Sequence, residues 1–130
     1  DLKGKMTVLY FYPQDNTPGC TTESQNFRDA LPEFQAAGAQ IIGVSRDSLG
    51  SHERFIDKQA LTFPLLADTE ERLCELFGVM KMKNMYGKQV RGIERSTFLI
   101  DAQGVLIQEW RGIKVPGHVQ AVLQAVQQAA

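Results

Sequence analysis

The chain alternates short apolar runs with longer amphipathic stretches. Residues 6–12 (MTVLYFY) form an unbroken apolar segment rich in β-branched and aromatic side chains, the pattern of a strand covered on both faces. Pro13 ends it, and Gln14 to Gly19 is a turn-rich connection. A helix follows: Thr17 suits its N-cap, Pro18 its first position and Gly38 its stop, with Pro32 expected to kink or restart it. Residues 39–45 (AQIIGVS) predict a second strand, and helical spacing covers 47–60. Residues 62–67 read as a third strand, moved toward an edge by Pro64. Asp68 and Thr69 cap a short helix with Leu73, Leu76 and Phe77 on one face, ended by Gly78. Residues 80–92, basic and glycine-punctuated, are expected to be a long loop. Two strands, 96–100 and 105–110, flank the hairpin signal Asp101-Ala102-Gln103-Gly104. Pro116 is expected to open a last helix with Val119, Val122, Leu123 and Val126 on its buried face. The order β-α-β-α-β-α-β-β-α predicts a three-layer α/β domain with a mixed sheet flanked by helices; the pattern alone permits several mixed-sheet topologies.

Composition narrows the functional classes. At 130 residues, 43% hydrophobic and 22% charged, the chain has the size and balance of one folded domain, 1–130. Fourteen basic against fifteen acidic residues give a net charge of −1, so no bulk field favours nucleic acid or an anionic membrane. No apolar run is long enough to span a bilayer. Two cysteines, Cys20 and Cys74, exclude a disulfide-rich scaffold and a zinc ribbon. The expected location is cytoplasmic. No cofactor or metal site is expected, because His52 and His118 lie far apart and no paired-cysteine motif accompanies them. His52 is placed in a polar, solvent-facing helix start, and His118 at the start of the last helix.

The candidate chemistry gathers at Cys20. It follows the first buried strand and falls in the first turn of the next helix, at the sheet edge where α/β proteins place their sites. Unpaired N–H groups and the positive dipole end there favour thiolate over thiol, by at most about 2 kcal/mol. A nearby cation would be needed to complete the activation. Glu23, in the same first turns, is open between a bridge to such a cation and a solvent-facing position.

Pro13-Gln14-Asp15-Asn16-Thr17-Pro18-Gly19-Cys20 resembles the Pro-x-x-x-Thr/Ser-x-x-Cys signature of peroxiredoxins. The longer run from Tyr10 to Glu23, with the blocks GVSRDS (43–48), FPLL (63–66), MYGK (85–88) and IERSTFLI (93–100), is similar to the peroxiredoxin Q (bacterioferritin comigratory protein) subfamily. The resemblance implies a thioredoxin-like fold and a thiol peroxidase that reduces hydrogen peroxide and organic hydroperoxides through a sulfenic acid. It makes Cys20 the nucleophile, gives Thr17 a hydroxyl role toward peroxide and thiolate, has Pro13 wall off the pocket, and supplies Arg95 as the missing cation. It also implies a monomer, and a strand region ahead of Leu2-Lys3-Gly4-Lys5 that makes a truncated chain the expectation.

Two departures from the subfamily bear on the mechanism. Positions that often carry a resolving cysteine hold Gln25 and Ile56, so Cys74 is the remaining candidate, and its setting on an apolar helix face favours a packing role. Gln14 stands where lysine is common. A one-cysteine cycle is therefore expected, with an external thiol (thioredoxin, glutaredoxin or a small thiol) as reductant. The alternatives are a two-cysteine cycle through Cys74 and a non-enzymatic thioredoxin-like binding or chaperone module. Dithiol exchange lacks a partner close to Cys20 in sequence. Lys81, Lys83, Lys88 and Arg91 interleave with Met80, Met82, Met85 and Tyr86, which reads as a loop packed near the pocket rather than a nucleic-acid face.

Overall fold

The computed structural model describes residues 4–130, apart from the Met85 side chain. Its elements in chain order are β1 (Met6–Phe11), α1 (Pro18–Ala36), β2 (Ala39–Ser45), α2 (Leu49–Gln59), β3 (Leu65–Ala67), α3 (Arg72–Leu76), β4 (Met80–Met85), β5 (Lys88–Ile93), β6 (Ser96–Ile100), β7 (Leu106–Arg111) and α4 (His118–Ala129). Five strands form one sheet in the order β3-β2-β1-β6-β7. β1, β2 and β3 run parallel, while β6 is antiparallel to both β1 and β7. The central strand β1 is thus covered on both sides and hydrogen-bonded at both edges, as its unbroken apolar run requires.

Period-two alternation along β1 divides the core. Val8, Tyr10 and Tyr12 join Phe27 and Phe34 of α1, Phe55 of α2 and Val119, Val122 and Val126 of α4 on one face. Leu9 and Phe11 turn to the other face with Val44, Cys74, Val79, Ile93 and Phe98. Tyr10 stacks on Phe27 at 4.6 Å between ring centroids, and its hydroxyl is 2.8 Å from the Ser24 hydroxyl, so its one polar atom is satisfied inside the core.

Several boundaries differ from expectation. α1 runs unbroken through Pro32, which lies near its last turn, between the buried Leu31 and Phe34 that anchor that turn. The third strand keeps only three residues because Pro64 has no N–H for the ladder; its carbonyl instead accepts from Gly43 N. α4 starts at His118, after Gly117 in a left-handed turn, not at Pro116. Leu76 of α3 is 76% exposed and does not join its apolar face. The largest correction is the expected loop at 80–92, which is a second, two-stranded sheet, β4 paired antiparallel with β5. Tyr86 and Gly87, at φ 54° and 79°, make the tight turn that a two-residue hairpin needs. Met82 and Tyr86 are exposed rather than packed near a pocket, with Tyr86 fully so.

Candidate active site

Thr17 has the extended backbone of an N-cap and Pro18 opens α1, so Cys20 lies in the first helical turn. The Cys20 side chain is buried. Arg95 is carried to it by strand pairing: Phe11 of β1 faces Ser96 of β6, which sets Arg95 beside the end of β1 that leads into the Cys20 turn. Its Nη2 donates to Cys20 Sγ at 3.3 Å, closing a gap of 75 positions in sequence. The guanidinium passes over the helix start, where a Cβ on Gly19 would come within 3.1 Å of Nη2. Glycine is the residue that admits this approach.

Arg95 Nη1 donates to Glu23 Oε1 at 2.7 Å, so Glu23 is a buried bridge to the cation and not a solvent-facing residue. Glu23 Oε2 is buried with no hydrogen-bond partner among the described residues. Burial pushes the Glu23 carboxyl up, and although the Arg95 charge and hydrogen bond pull it back, it settles at about 7. For Arg95, burial works against the charge, but Glu23 and then Cys20 outweigh it and hold the guanidinium as a cation. Two further groups share this field. His118 is pushed down to about 4 by burial and then by Arg95, and so stays neutral; its Nε2 is 2.8 Å from Thr97 Oγ1. Lys83 of β4 donates to the carbonyl of Ile93; burial and then Arg95 lower its pKa while Cys20 opposes the shift.

The turn before Cys20 is held from below. Asp15 Oδ1 accepts from the Tyr12 hydroxyl at 2.6 Å, and Oδ2 lies 2.8 Å from both Ser51 Oγ and His52 Nδ1. The Asp15 amide donates to Asp47 Oδ2 at 2.8 Å. His52 is therefore a buried residue at the start of α2, contrary to its expected solvent-facing position, because the polar spacing around it conceals an inward-facing partner on another loop. Asp15, Asp47 and His52 bring ligand-type atoms within 4.8 Å of one another. Both ring nitrogens of His52 lie within hydrogen-bond distance of other groups, Nδ1 of the Asp15 carboxyl and Nε2 of the Leu66 carbonyl.

Thr17 caps α1 through its carbonyl, which accepts from Thr21 N at 2.9 Å, and not through its side chain. Its hydroxyl donates instead to the Gln14 carbonyl at 2.8 Å. Pro13 is half-buried and lines a shallow polar recess with Gln14, Arg46, Asp47, Thr69 and Glu71.

Residues 1–109 match the model of the AhpC/TSA family. The chain belongs to that family. It is 58% identical over 123 residues to peroxiredoxin Bcp of Xanthomonas campestris pv. campestris, covering 95% of this chain and 77% of that protein. Peroxiredoxin Bcp of Bacillus subtilis is 55% identical over 126 residues, covering 97% and 80% of the two chains. Among solved structures, the bacterioferritin comigratory protein of Xanthomonas campestris, described for its alkyl peroxide reduction activity, superposes with a TM-score of 0.93 at 56% identity, over 98% of this chain and 81% of that one. A Xylella fastidiosa PrxQ variant superposes with a TM-score of 0.94 at 48% identity, over 98% and 79%. The fold is thus thioredoxin-like and the chain is a peroxiredoxin, a thiol peroxidase.

In this AhpC/TSA member the second cysteine lies across the sheet. Cys74 is buried on α3 in the cluster with Leu9, Phe11 and Val44, while Cys20 belongs to the cluster on the opposite face. Both are free thiols. Burial, and then the hydrogen bond to Asp68, push the Cys74 thiol up to about 12. The Asp68 carboxylate also accepts from the Leu73 and Cys74 amides, so it caps α3 and anchors Cys74 together. No described helix is long and apolar enough to cross a membrane.

Of the four residues proposed from sequence, Cys20 and Arg95 are in contact, while Thr17 and Pro13 frame the turn that leads to Cys20. The family signature passed over Asp15, His52 and Lys83. Glu23, three positions after Cys20, is open in sequence between a bridge and a solvent-facing position, and the bridge to Arg95 is the one that forms.

Proposed function

We propose that Cys20 is the peroxidatic nucleophile and that this peroxiredoxin runs a one-cysteine cycle on hydrogen peroxide and organic hydroperoxides. The observation that carries the reading is the 3.3 Å contact from the Arg95 guanidinium to Cys20 Sγ at a helix N-terminus. The thiolate attacks one peroxide oxygen, the O–O bond breaks, and the departing oxygen keeps the electron pair and takes a proton to become water or alcohol. Cys20 is left as the sulfenic acid. One external thiol condenses with it, releasing water and forming a mixed disulfide; a second thiol attacks that disulfide and restores Cys20. Arg95 stabilises the charge that develops on the peroxide oxygens. The Thr17 hydroxyl spends its proton on Gln14, which leaves its lone pairs to accept from the peroxide O–H. Pro13 shields the approach. The near-neutral net charge suits a small uncharged substrate that needs no steering.

The external thiol follows from Cys74. A thiol held protonated, on the far face of the sheet, is a poor resolving group, and the reductant is a thioredoxin, a glutaredoxin or a small thiol. The test is peroxide consumption with dithiothreitol as reductant. Cys20→Ser abolishes turnover, and Cys74→Ser keeps it within about twofold, as expected for a residue outside the reacting set. Loss of turnover in Cys74→Ser, with an internal disulfide in the oxidised protein by mass spectrometry, overturns the one-cysteine cycle.

A further inference from the structure

The buried pair His52–Asp15 lies outside the reacting groups, yet it holds the turn that delivers Cys20. His52 Nε2 is 2.9 Å from the Leu66 carbonyl, which can only accept, so Nε2 carries a proton. Nδ1 faces Asp15 Oδ2 at 2.8 Å, and both side chains are about 1% exposed. With Asp15 as a carboxylate both partners are acceptors, an arrangement that an imidazolium satisfies in full. Every group facing the pair is consistent with that state. The Tyr12 and Ser51 hydroxyls both donate to Asp15, and Asp47 adds a second negative charge at the mouth of α2 while binding the Asp15 amide. Burial opposes the charge on His52, but Asp15 outweighs it and holds the ring above its ordinary pKa; Asp15, with three donors, is held below its own.

The geometry connects three elements. β3 supplies the Leu66 carbonyl, α2 supplies His52 and Ser51, and the turn between β1 and α1 supplies Asp15, five positions before Cys20. We propose that protonated His52 is a positioning residue for peroxide reduction: its N–H to Asp15 fixes the turn from Pro13 to Thr17, and so sets where Cys20 and the Thr17 hydroxyl stand relative to Arg95. The inference rests on the assignment of Cys20 as nucleophile given above. Its sign with pH follows from the raised ring: the clamp is complete below the ordinary histidine range and is lost as pH rises through the elevated value in the folded protein.

Two substitutions separate positioning from bulk stability. His52→Asn keeps a donor near the Nδ1 place, toward Asp15, and loses the Leu66 bond; His52→Gln keeps a donor near the Nε2 place and loses the Asp15 bond. Each deletes one buried hydrogen bond. The single-turnover rate of Cys20 oxidation by peroxide stays within about threefold of wild type in the Asn variant and falls about tenfold or more in the Gln variant, the scale expected for lost orientation. The ratio of wild-type to Asn-variant rates declines as pH rises through the raised value of the His52 ring. Equal rates in the two variants, or a ratio flat with pH, overturn the proposal. Should either variant fail to fold, imidazole NMR of the wild type decides alone: both ring nitrogens of His52 carry protons below the ordinary histidine range, and a neutral ring there overturns the proposal. The two readings fail separately. Peroxide oxidation that persists in Cys20→Ser removes the nucleophile assignment, whereas a neutral His52 removes only the clamp.

Discussion

At the residue scale the site is a set of charges placed where water does not compensate them. Glu23 shows the consequence most directly. Its folded pKa of about 7 lies above the ordinary value of 4.5, because burial outweighs the help of Arg95. Below the ordinary value both folded and unfolded chains hold the proton, so pH does not discriminate between them. Between 4.5 and about 7 the unfolded chain ionises first, and the fold is destabilised as pH rises; above the folded value the loss levels off. The full span is on the order of 3 kcal/mol. Glu23→Gln keeps an oxygen for Arg95 and does not titrate, so the stability of wild type relative to this variant should fall across that window and be flat beyond it. Urea denaturation at a series of pH values measures the difference; a constant gap across the series refutes the buried-carboxyl account. The contact between Cys20 and Arg95 was legible in sequence through the family signature, since no spacing rule joins two residues 75 positions apart. The His52 clamp was not, because a lone histidine among polar neighbours carries no sign of the partner that tertiary structure brings to it.

At the scale of elements, period and turn chemistry carried the reading wherever one face was buried. β1, β2, α1 and the β6–β7 hairpin came out close to their expected limits, and Asp101 Oδ1 accepts from Gln103 N and Val105 N as its turn signal implies. The β4–β5 hairpin escaped because both its strands are largely exposed: methionine and lysine do alternate over 80–83, but Met82 lies in solvent and β5 is mostly polar with a glycine near its end, so the stretch had the composition of a basic loop. Its turn did carry a mark, a glycine after Tyr86, and a direct test follows. Gly87→Ala puts a Cβ on a residue at φ 79° in otherwise open space, so the cost is backbone strain alone, about 1 kcal/mol. Since β4 and β5 form their own sheet, peroxide turnover should stay within about twofold at the same time. A loss well above about 3 kcal/mol by urea denaturation would mean that the turn supports the five-stranded core and not merely its own hairpin.

At the scale of the whole molecule, the sheet acts as a partition between two sulfurs of different fates. Cys20 stands at a helix terminus where the chain turns off the edge of the sheet, and Cys74 is packed under Leu9, Phe11 and Val44 with its thiol turned to Asp68. For Cys74 to meet any reagent, α3 must leave the sheet, or the domain must unfold. α3 is five residues long, but its packing against buried Val79, Ile93 and Phe98 and the capping of its amides by Asp68 tie it to the core. Access to Cys74 should therefore follow global unfolding, not a local opening. In Cys20→Ser, the rate of Cys74 alkylation should rise with urea along the same slope as the equilibrium transition, and its protection should equal the global folding constant. A labelling rate independent of low urea would reveal a local path to Cys74. That path would give Cys74 the access a resolving thiol needs, and the external-thiol assignment would then rest on the turnover of Cys74→Ser alone.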